Sequence, residues 1–349
     1  MAILPCSIST DCLRTQPFNI VYFNWYCGRY LKMWRIILYL CLHGVLSMNQ
    51  CLAQHVLFYN VENLFDTLHD RGKNDHAFTP NGGYEYNTPI YYLKIRQTAR
   101  AIRSSINTVG QNIDIIALAE VENRSVLIDL AKHKAIAGYG PWQVVHYDSP
   151  DHRGIDCAAL INTSTTRVVT SHPIAYSSTY FKSRDALLLQ TKSASDEDSI
   201  TLTCAIVHLP SKRGGAVQSA PLREQALKAV VKQLEKDTNQ NQLILGDFND
   251  LASADWFQNH LKNGWSSPEF SYPKNILGSY KYQGRWQHID LALYRGSNPF
   301  GGTIIAPPIL LEIDTKWGGY KPKRSFLGRF YTFGYSDHLP VYIFNVIHS

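Results

Sequence analysis

The chain has 349 residues, 45% hydrophobic and 18% charged, with a formal net charge of +6. That composition excludes a disordered or collagen-like chain and is enough for one large domain or two small ones. Setting aside the four Lys/Arg and one Asp of residues 1–53 leaves a body at +3, which suits an anionic substrate but lacks the large basic excess that marks nucleic-acid binding by charge alone.

The first 53 residues read differently from the rest. Lys32-Met33-Trp34-Arg35 precedes an apolar run at 36–46, and the stretch after it ends in the small residue Ala53. A basic start, a short apolar core and a small residue at the cut are the grammar of a signal peptide, and the run is shorter than the ~20 residues a membrane span needs. The expectation is an exported protein, periplasmic or secreted, with the mature domain at 54–349. An uncleaved anchor or a buried helix would use the same run. Five of the seven cysteines (Cys6, Cys12, Cys27, Cys41, Cys51) fall in this segment. Cys157 and Cys204 remain, each inside an apolar run, which excludes a disulfide scaffold and a cysteine zinc site. No repeat or linker divides the body, so a single domain is expected.

Residues 55–59 form a short apolar strand that runs into Asn60. Residues 67–90, rich in Gly, Asn, Asp and Pro, read as a loop. Apolar positions at helical spacing predict a helix over 91–106, and 113–119 is a continuous apolar strand ending at Glu120. Strands are predicted at 142–146 and 155–161, with weaker ones at 167–169 and 186–190. Residues 200–207 alternate and end at His208. Residues 221–236 are an amphipathic helix, with Ser219 as its expected cap. The run 243–249, Leu-Ile-Leu-Gly-Asp-Phe-Asn, is an apolar strand that delivers Asp247 and Asn249; in extended geometry both point to one side. A further helix is expected at 252–263, and strands at 289–294 and 339–346, while 296–334 carries little pattern. Strands in runs with few helices fit packed sheets better than a doubly wound βαβ fold.

The polar residues at these strand ends are Asn60, Glu120, Asp156, His208, Asp247, Asn249, Asp290, Asp337 and His338. Taken singly, each is an ordinary turn or surface residue. Together, the carboxylates and the amide are the hard oxygen donors that Mg²⁺ takes. Two histidines with spare carboxylates suggest carboxylate-oriented imidazoles. There is no Cys/His zinc cluster, no Gly-x-Ser-x-Gly elbow and no Walker loop.

In these markers the chain resembles the endonuclease/exonuclease/phosphatase superfamily, over about 56–346. They are Tyr59-Asn60-Val61-Glu62-Asn63, Leu118-Ala119-Glu120, Val207-His208-Leu209, Gly246-Asp247-Phe248-Asn249, His288-Ile289-Asp290 and Ser336-Asp337-His338. All six stand in family order. The resemblance implies a four-layer α/β sandwich, two packed mixed sheets flanked by helices, with the site at one end. It implies a Mg²⁺-dependent phosphoesterase, Mn²⁺ being able to substitute, that works by direct water attack. By the same resemblance Asn60, Glu120 and Asp337 lie at the metal, His338 contacts the scissile phosphate and Asp290 orients it. Asp247 positions or deprotonates the water and Asn249 assists at the phosphate. His208 is the second histidine, Asp156 its expected partner, and Arg153 a phosphate contact. The leading substrate is a nucleic-acid phosphodiester cut by an endonuclease, gripped by loop residues such as Lys212, Arg213, Arg223, Arg285 and Trp286. A phosphatase or sphingomyelinase-like phosphodiesterase is the first alternative and a non-catalytic binding member the second. A monomer without a stable protein partner is expected.

Overall fold

The apolar runs predicted as strands become the interior of two sheets in a computed structural model, which describes residues 54–346 except 177–181, 196–199, 213 and 240. The predicted targeting segment, 1–53, lies outside the described residues. Those that are described belong to the unit Leu52–Ser349.

In chain order the main strands are β1 (His55–Leu64), β2 (Ile115–Val121), β3 (Trp142–His146), β4 (Asp156–Asn162), β5 (Thr166–Ile174), β6 (Ala186–Ser193), β7 (Leu202–His208), β8 (Gln242–Asp247), β9 (Glu269–Ser271), β10 (Asp290–Arg295), β11 (Phe300–Ile304) and β12 (Val341–Asn345). The helices are α1 (Thr88–Val109), α2 (Arg124–Lys132), α3 (Ala216–Leu234) and α4 (Asp255–Lys262). One sheet has seven strands in the order β3-β4-β2-β1-β12-β11-β9, and the other has five, β10-β8-β7-β6-β5. β1 runs parallel to β2 and antiparallel to β12, so the first and last strands are neighbours in the middle of the larger sheet.

The period-2 alternation of a strand decides which core each residue joins. Cys204, Ile206, Leu243 and Leu245 pack into the core of the seven-stranded sheet, where Ile95, Ala99 and Ile102 of α1 and Leu127 and Leu130 of α2 also lie. Their neighbours Ala205, Val207 and Ile244 face the other way, onto Leu227 and Val230 of α3 and Trp256 and Phe257 of α4. Both faces of β7 and β8 are therefore covered, which explains why their sequences are continuously apolar. The result is the four-layer α/β sandwich that the resemblance implied.

Local chemistry sets most helix ends. Asn87 caps α1 by accepting from Ile90 N, Pro89 lies in the first turn, and Gly110 closes the helix at φ 70. These are the standard start and stop signals. The helix α3 differs from expectation. It begins at Ala216, not Pro221, and Ser219 lies inside it, donating its hydroxyl to Gly215 O at 2.6 Å rather than capping. The cause is Arg223. Its fully buried guanidinium donates to Ala216 O, Ser219 Oγ and Pro210 O, which holds the early turns together. The helix α2 and the strands β9 and β11 had no counterpart in the sequence reading.

Gly246 is the tightest point of the five-stranded sheet. It has φ +150, and a Cβ there would lie 1.9 Å from Val207 O on the neighbouring strand. Gly246→Ala is expected to cost about 3 kcal/mol of stability through strain and overpacking. A urea titration checks this; an unchanged midpoint would contradict it.

Candidate active site

Strand register alone brings three site residues together. His208 pairs with Asp247 across β7 and β8, and Asp290 pairs with Asp247 across β8 and β10. Residues directly opposite on neighbouring strands point to the same face. The larger sheet contributes the rest. β1 breaks register between Asn60 and Leu64, and β2 breaks it between Ala119 and Val121. Such bulges re-aim side chains at strand ends. Here Glu62, Asn63 and Glu120 take φ of 51, 58 and 64, and Asn249 takes 52. Non-glycine residues held in this left-handed region cluster at functional sites.

The contacts form one chain. Asn60 donates from Nδ2 to Asp247 Oδ2 at 3.1 Å. The same Oδ2 lies 3.6 Å from His208 Nε2 and 3.7 Å from His338 Nε2. His338 Nδ1 bonds to Asp290 Oδ2 at 2.8 Å, and Asp290 is fully buried. His208 Nε2 stands 4.0 Å from Glu120 Oε1. Asp247, Asp290, His208 and His338 form a buried floor, while Glu120, Asp337, Arg153 and Arg324 reach the surface above it.

The two imidazoles are in opposite charge states. Burial alone would lower His338, but the negative charges of Asp290 and Asp247, with the Asp290 hydrogen bond, outweigh it and hold the ring well above its ordinary value. It is a cation at neutral pH. His208 is driven well below its ordinary value by burial, helped by Arg184 and Arg153, and stays neutral. Burial also pushes Asp247 up to about 7 against the pull of His338. A carboxyl poised there suits a general base near neutrality.

The rim offers a carboxylate oxygen to a divalent cation. Glu120 is fixed through Oε2, which accepts from Asn63 N at 3.0 Å. Its other oxygen faces Arg153 Nη1 at 3.9 Å and His208 Nε2 at 4.0 Å, beyond hydrogen-bond reach, and is open to coordination. Carboxylate oxygens from Glu120 and Asp337 are the hard donors that Mg²⁺ and Mn²⁺ prefer.

A profile described as the Endonuclease/Exonuclease/phosphatase family matches residues 55–346. The chain belongs to the endonuclease/exonuclease/phosphatase family. By that membership it is a metal-dependent phosphoric ester hydrolase. No curated protein matches the chain in sequence. Among solved structures it is similar to a family protein from Bacteroides thetaiotaomicron (14% identity, TM-score 0.55, covering 85% of this chain and 98% of that one). It is similar to a mannosyl-6-phosphatase from Bacteroides thetaiotaomicron VPI-5482 (13%, 0.54, 84% and 100%). A third is a Staphylococcus aureus beta toxin mutant with bound magnesium ions (14%, 0.55, 84% and 99%). Identities this low speak for the fold alone.

This family member places some expected residues elsewhere. Asp156 does not pair with His208: its oxygens take His146 Nε2 at 3.0 Å and Ser149 N at 3.1 Å, because its strand position faces β3 and the following loop. Asn249 is not carried in by strand alternation. β8 ends at Asp247, and an Asx turn (Asn249 N to Asp247 Oδ1, 2.8 Å) swings Asn249 so that Nδ2 donates to Leu209 O. Asn60 turns its amide to Asp247, and its Oδ1 accepts from Glu62 N. Arg153 does reach the rim, bonding to Asn63 Oδ1 at 2.6 Å. Arg223 is fully buried and cannot grip substrate; it pairs with Asp250, as does the part-exposed Lys212. Arg213 lies outside the described residues.

Four residues were missed. Glu62 accepts from Ser325 N and from Arg324, and Arg324 reaches on to Asp337 Oδ2 at 3.3 Å. Lys94, fully buried, donates to Val61 O, Ser325 Oγ and Tyr335 O. Burial raises Glu62 to about 7 and lowers Lys94 to about 8, each tempered by its oppositely charged neighbours. Tyr280 lays its ring beside His338, centroids 4.9 Å apart. Two of them left a signal: Glu62 stands inside the marker Tyr59-Asn60-Val61-Glu62-Asn63, and Lys94 stands three residues after Tyr91 on the apolar face of α1, where a lysine needs a buried partner.

Proposed function

We propose that the protein hydrolyses phosphodiester bonds of nucleic acid, with Mg²⁺ or Mn²⁺, by direct in-line attack of water. One observation carries the hydrolytic reading: Asp247 Oδ2 stands between two imidazole Nε2 atoms, at 3.6 and 3.7 Å. A water held by Asp247 is oriented and relieved of its proton. His338, oriented by Asp290, donates to oxygen on which negative charge builds. Asn60 fixes the carboxylate by its hydrogen bond, with His208 Nε2 3.6 Å away. Glu120 and Asp337 would hold the metal, which supplies Lewis-acid neutralisation of phosphoryl charge. Neither Ser336 nor Cys157 is set up as a nucleophile. The Ser336 hydroxyl donates to Asn60 O and accepts from His338 N, and the Cys157 thiol is raised by burial.

The nucleic-acid part of the reading is supported by the rim. Arg153 and Arg324 are part exposed there. Tyr280, beside His338, opens a hairpin (Tyr280–Tyr282 with Arg285–Gln287) tied by Lys281 and Asp314 to the segment carrying Trp317 and Tyr320. Tyr282, Trp317 and Tyr320 are exposed. Lys316 lies 5.1 Å from the Trp317 ring, and exposed rings together with cations are what a backbone with stacking bases engages. The test is a Mg²⁺ assay on plasmid DNA, RNA, sphingomyelin, phosphoinositides and bis-p-nitrophenyl phosphate. Cleavage of DNA or RNA is expected; turnover of a lipid with both nucleic acids intact overturns the substrate class.

Metal removal gives a separate outcome. Activity should vanish in EDTA and return with Mg²⁺ or Mn²⁺. Glu120→Gln should fold and need far more Mg²⁺ for any turnover. Wild-type kinetics of that variant at low Mg²⁺ would remove Glu120 from the metal site.

A further inference from the structure

We propose a second divalent-cation site, calcium-binding in its chemistry, formed by Asp70, Asp75 and Glu122. The bulge that turns Glu120 to the catalytic cleft leaves Glu122, two residues on, aimed at the loop after β1. Glu122 is 3% exposed. Its Oε2 accepts from Asp66 N at 2.6 Å and from Asn123 Nδ2 at 3.2 Å, but Oε1 is buried with no hydrogen-bond partner. A buried carboxylate oxygen left this way is costly unless a proton or a cation meets it.

Glu122 lines a cavity of about 330 Å³, with Asp70 and Asp148 on its other walls. One oxygen from each of Asp70, Asp75 and Glu122 lies within 4.8 Å of the others, a spread that fits shared coordination to one ion. Arg71 and Lys73 also border the cavity, but neither is hydrogen-bonded to Glu122. Lys73 Nζ donates to the carbonyls of Ser149 and Asp151, at 2.6 and 2.9 Å, and Arg71 is exposed. His69 pairs with Asp75 through one oxygen while Asp70 N holds the other, which fixes the carboxylate without offsetting the whole cluster. Carboxylates from a loop and a strand end, in an irregular arrangement, suit Ca²⁺, which accepts six to eight oxygens at flexible angles; Mg²⁺ demands a near-ideal octahedron.

The site has a use. Asn74 N bonds to His152 O at 2.6 Å, and Lys73 grips the same loop. That loop carries Arg153, whose guanidinium bonds to Asn63 and lies 3.9 Å from Glu120. An ion tying Asp70 and Asp75 to the end of β2 would lock the loop pair that presents Arg153 to substrate.

The test is calorimetric titration of CaCl₂ into metal-stripped protein, with thermal unfolding alongside, on wild type, Glu120→Gln, Glu122→Gln and Asp70→Asn. One Ca²⁺ is expected in wild type and in Glu120→Gln alike, with a rise in Tm of about 5 °C at saturating calcium. Glu122→Gln should lose binding. Asp70 is exposed, so Asp70→Asn keeps the fold even where Glu122→Gln does not, and it should bind about tenfold more weakly or worse. Absence of calcium binding in wild type and Glu120→Gln overturns the proposal. So does calcium binding that Glu120→Gln abolishes and Asp70→Asn leaves unchanged; that result places the ion in the catalytic cleft and leaves the hydrolytic reading standing.

Discussion

In Asp247→Asn, kcat is expected to fall about a thousandfold, roughly 4 kcal/mol of transition-state stabilisation. The substitution keeps the size of the side chain, and the backbone bond from Asn249 N to Oδ1 has an acceptor still available. What goes is the charge that, in the proposed mechanism, orients and deprotonates water between His208 and His338. Substrate binding, which the rim governs, should survive. Wild-type activity should also decline as pH falls through about 7, because Asp247 protonates there, and the variant should lack that acid limb in whatever activity remains. The measurement is kcat on protein shown folded by circular dichroism. A value within about threefold of wild type, well under 1.4 kcal/mol, ends the assignment.

The second large effect is at His338. His338→Ala removes a charge-assisted donor and should cost a hundredfold or more in kcat, about 3 kcal/mol. Asp290→Asn separates charge from position. Asp290 holds His338 well above its ordinary value, so wild-type activity should persist as pH rises and fail only beyond that raised value. Without the Asp290 charge the ring loses its proton at lower pH, and the alkaline limb of kcat/KM should move down. An alkaline limb at the same pH in both proteins would show that His338 does not act as a cation.

The buried strands were legible because both faces of β7 and β8 are covered, so burial writes a continuous apolar run that ends where chemistry begins. His208, Asp247 and Asp290 could be found from that rule, since register sets them side by side. Other features were not legible. Strand β11 contains Gly301 and Gly302, which lack a strand former's side chain; a Cβ on Gly302 would strike the Phe270 ring at 2.4 Å, so the close packing of β9 requires the glycine. The pairing of Asp156 with His146 depends on the antiparallel register of β3 and β4, which the order of elements does not reveal. The Arg324–Glu62 contact joins residues 262 positions apart, and neither residue has a local pattern that announces the other. Sequence periodicity reports what a segment buries, whereas these contacts depend on which distant segment comes to meet it.

The adjacency of β1 and β12 has a consequence for how the protein is made. Asn60 and Glu62 leave the ribosome long before the partners that complete their surroundings; Ser336 Oγ donates to Asn60 O across 276 positions. Until β12 emerges, one edge of β1 is an open ladder of amides and carbonyls in the middle of an unfinished sheet. A nascent chain cut short of β12 therefore carries both an incomplete catalytic floor and an aggregation-prone edge. Arrival of β12 closes the edge of β1 and brings the neighbouring His338 into place, so a chain truncated before His338 should lose activity and aggregate together.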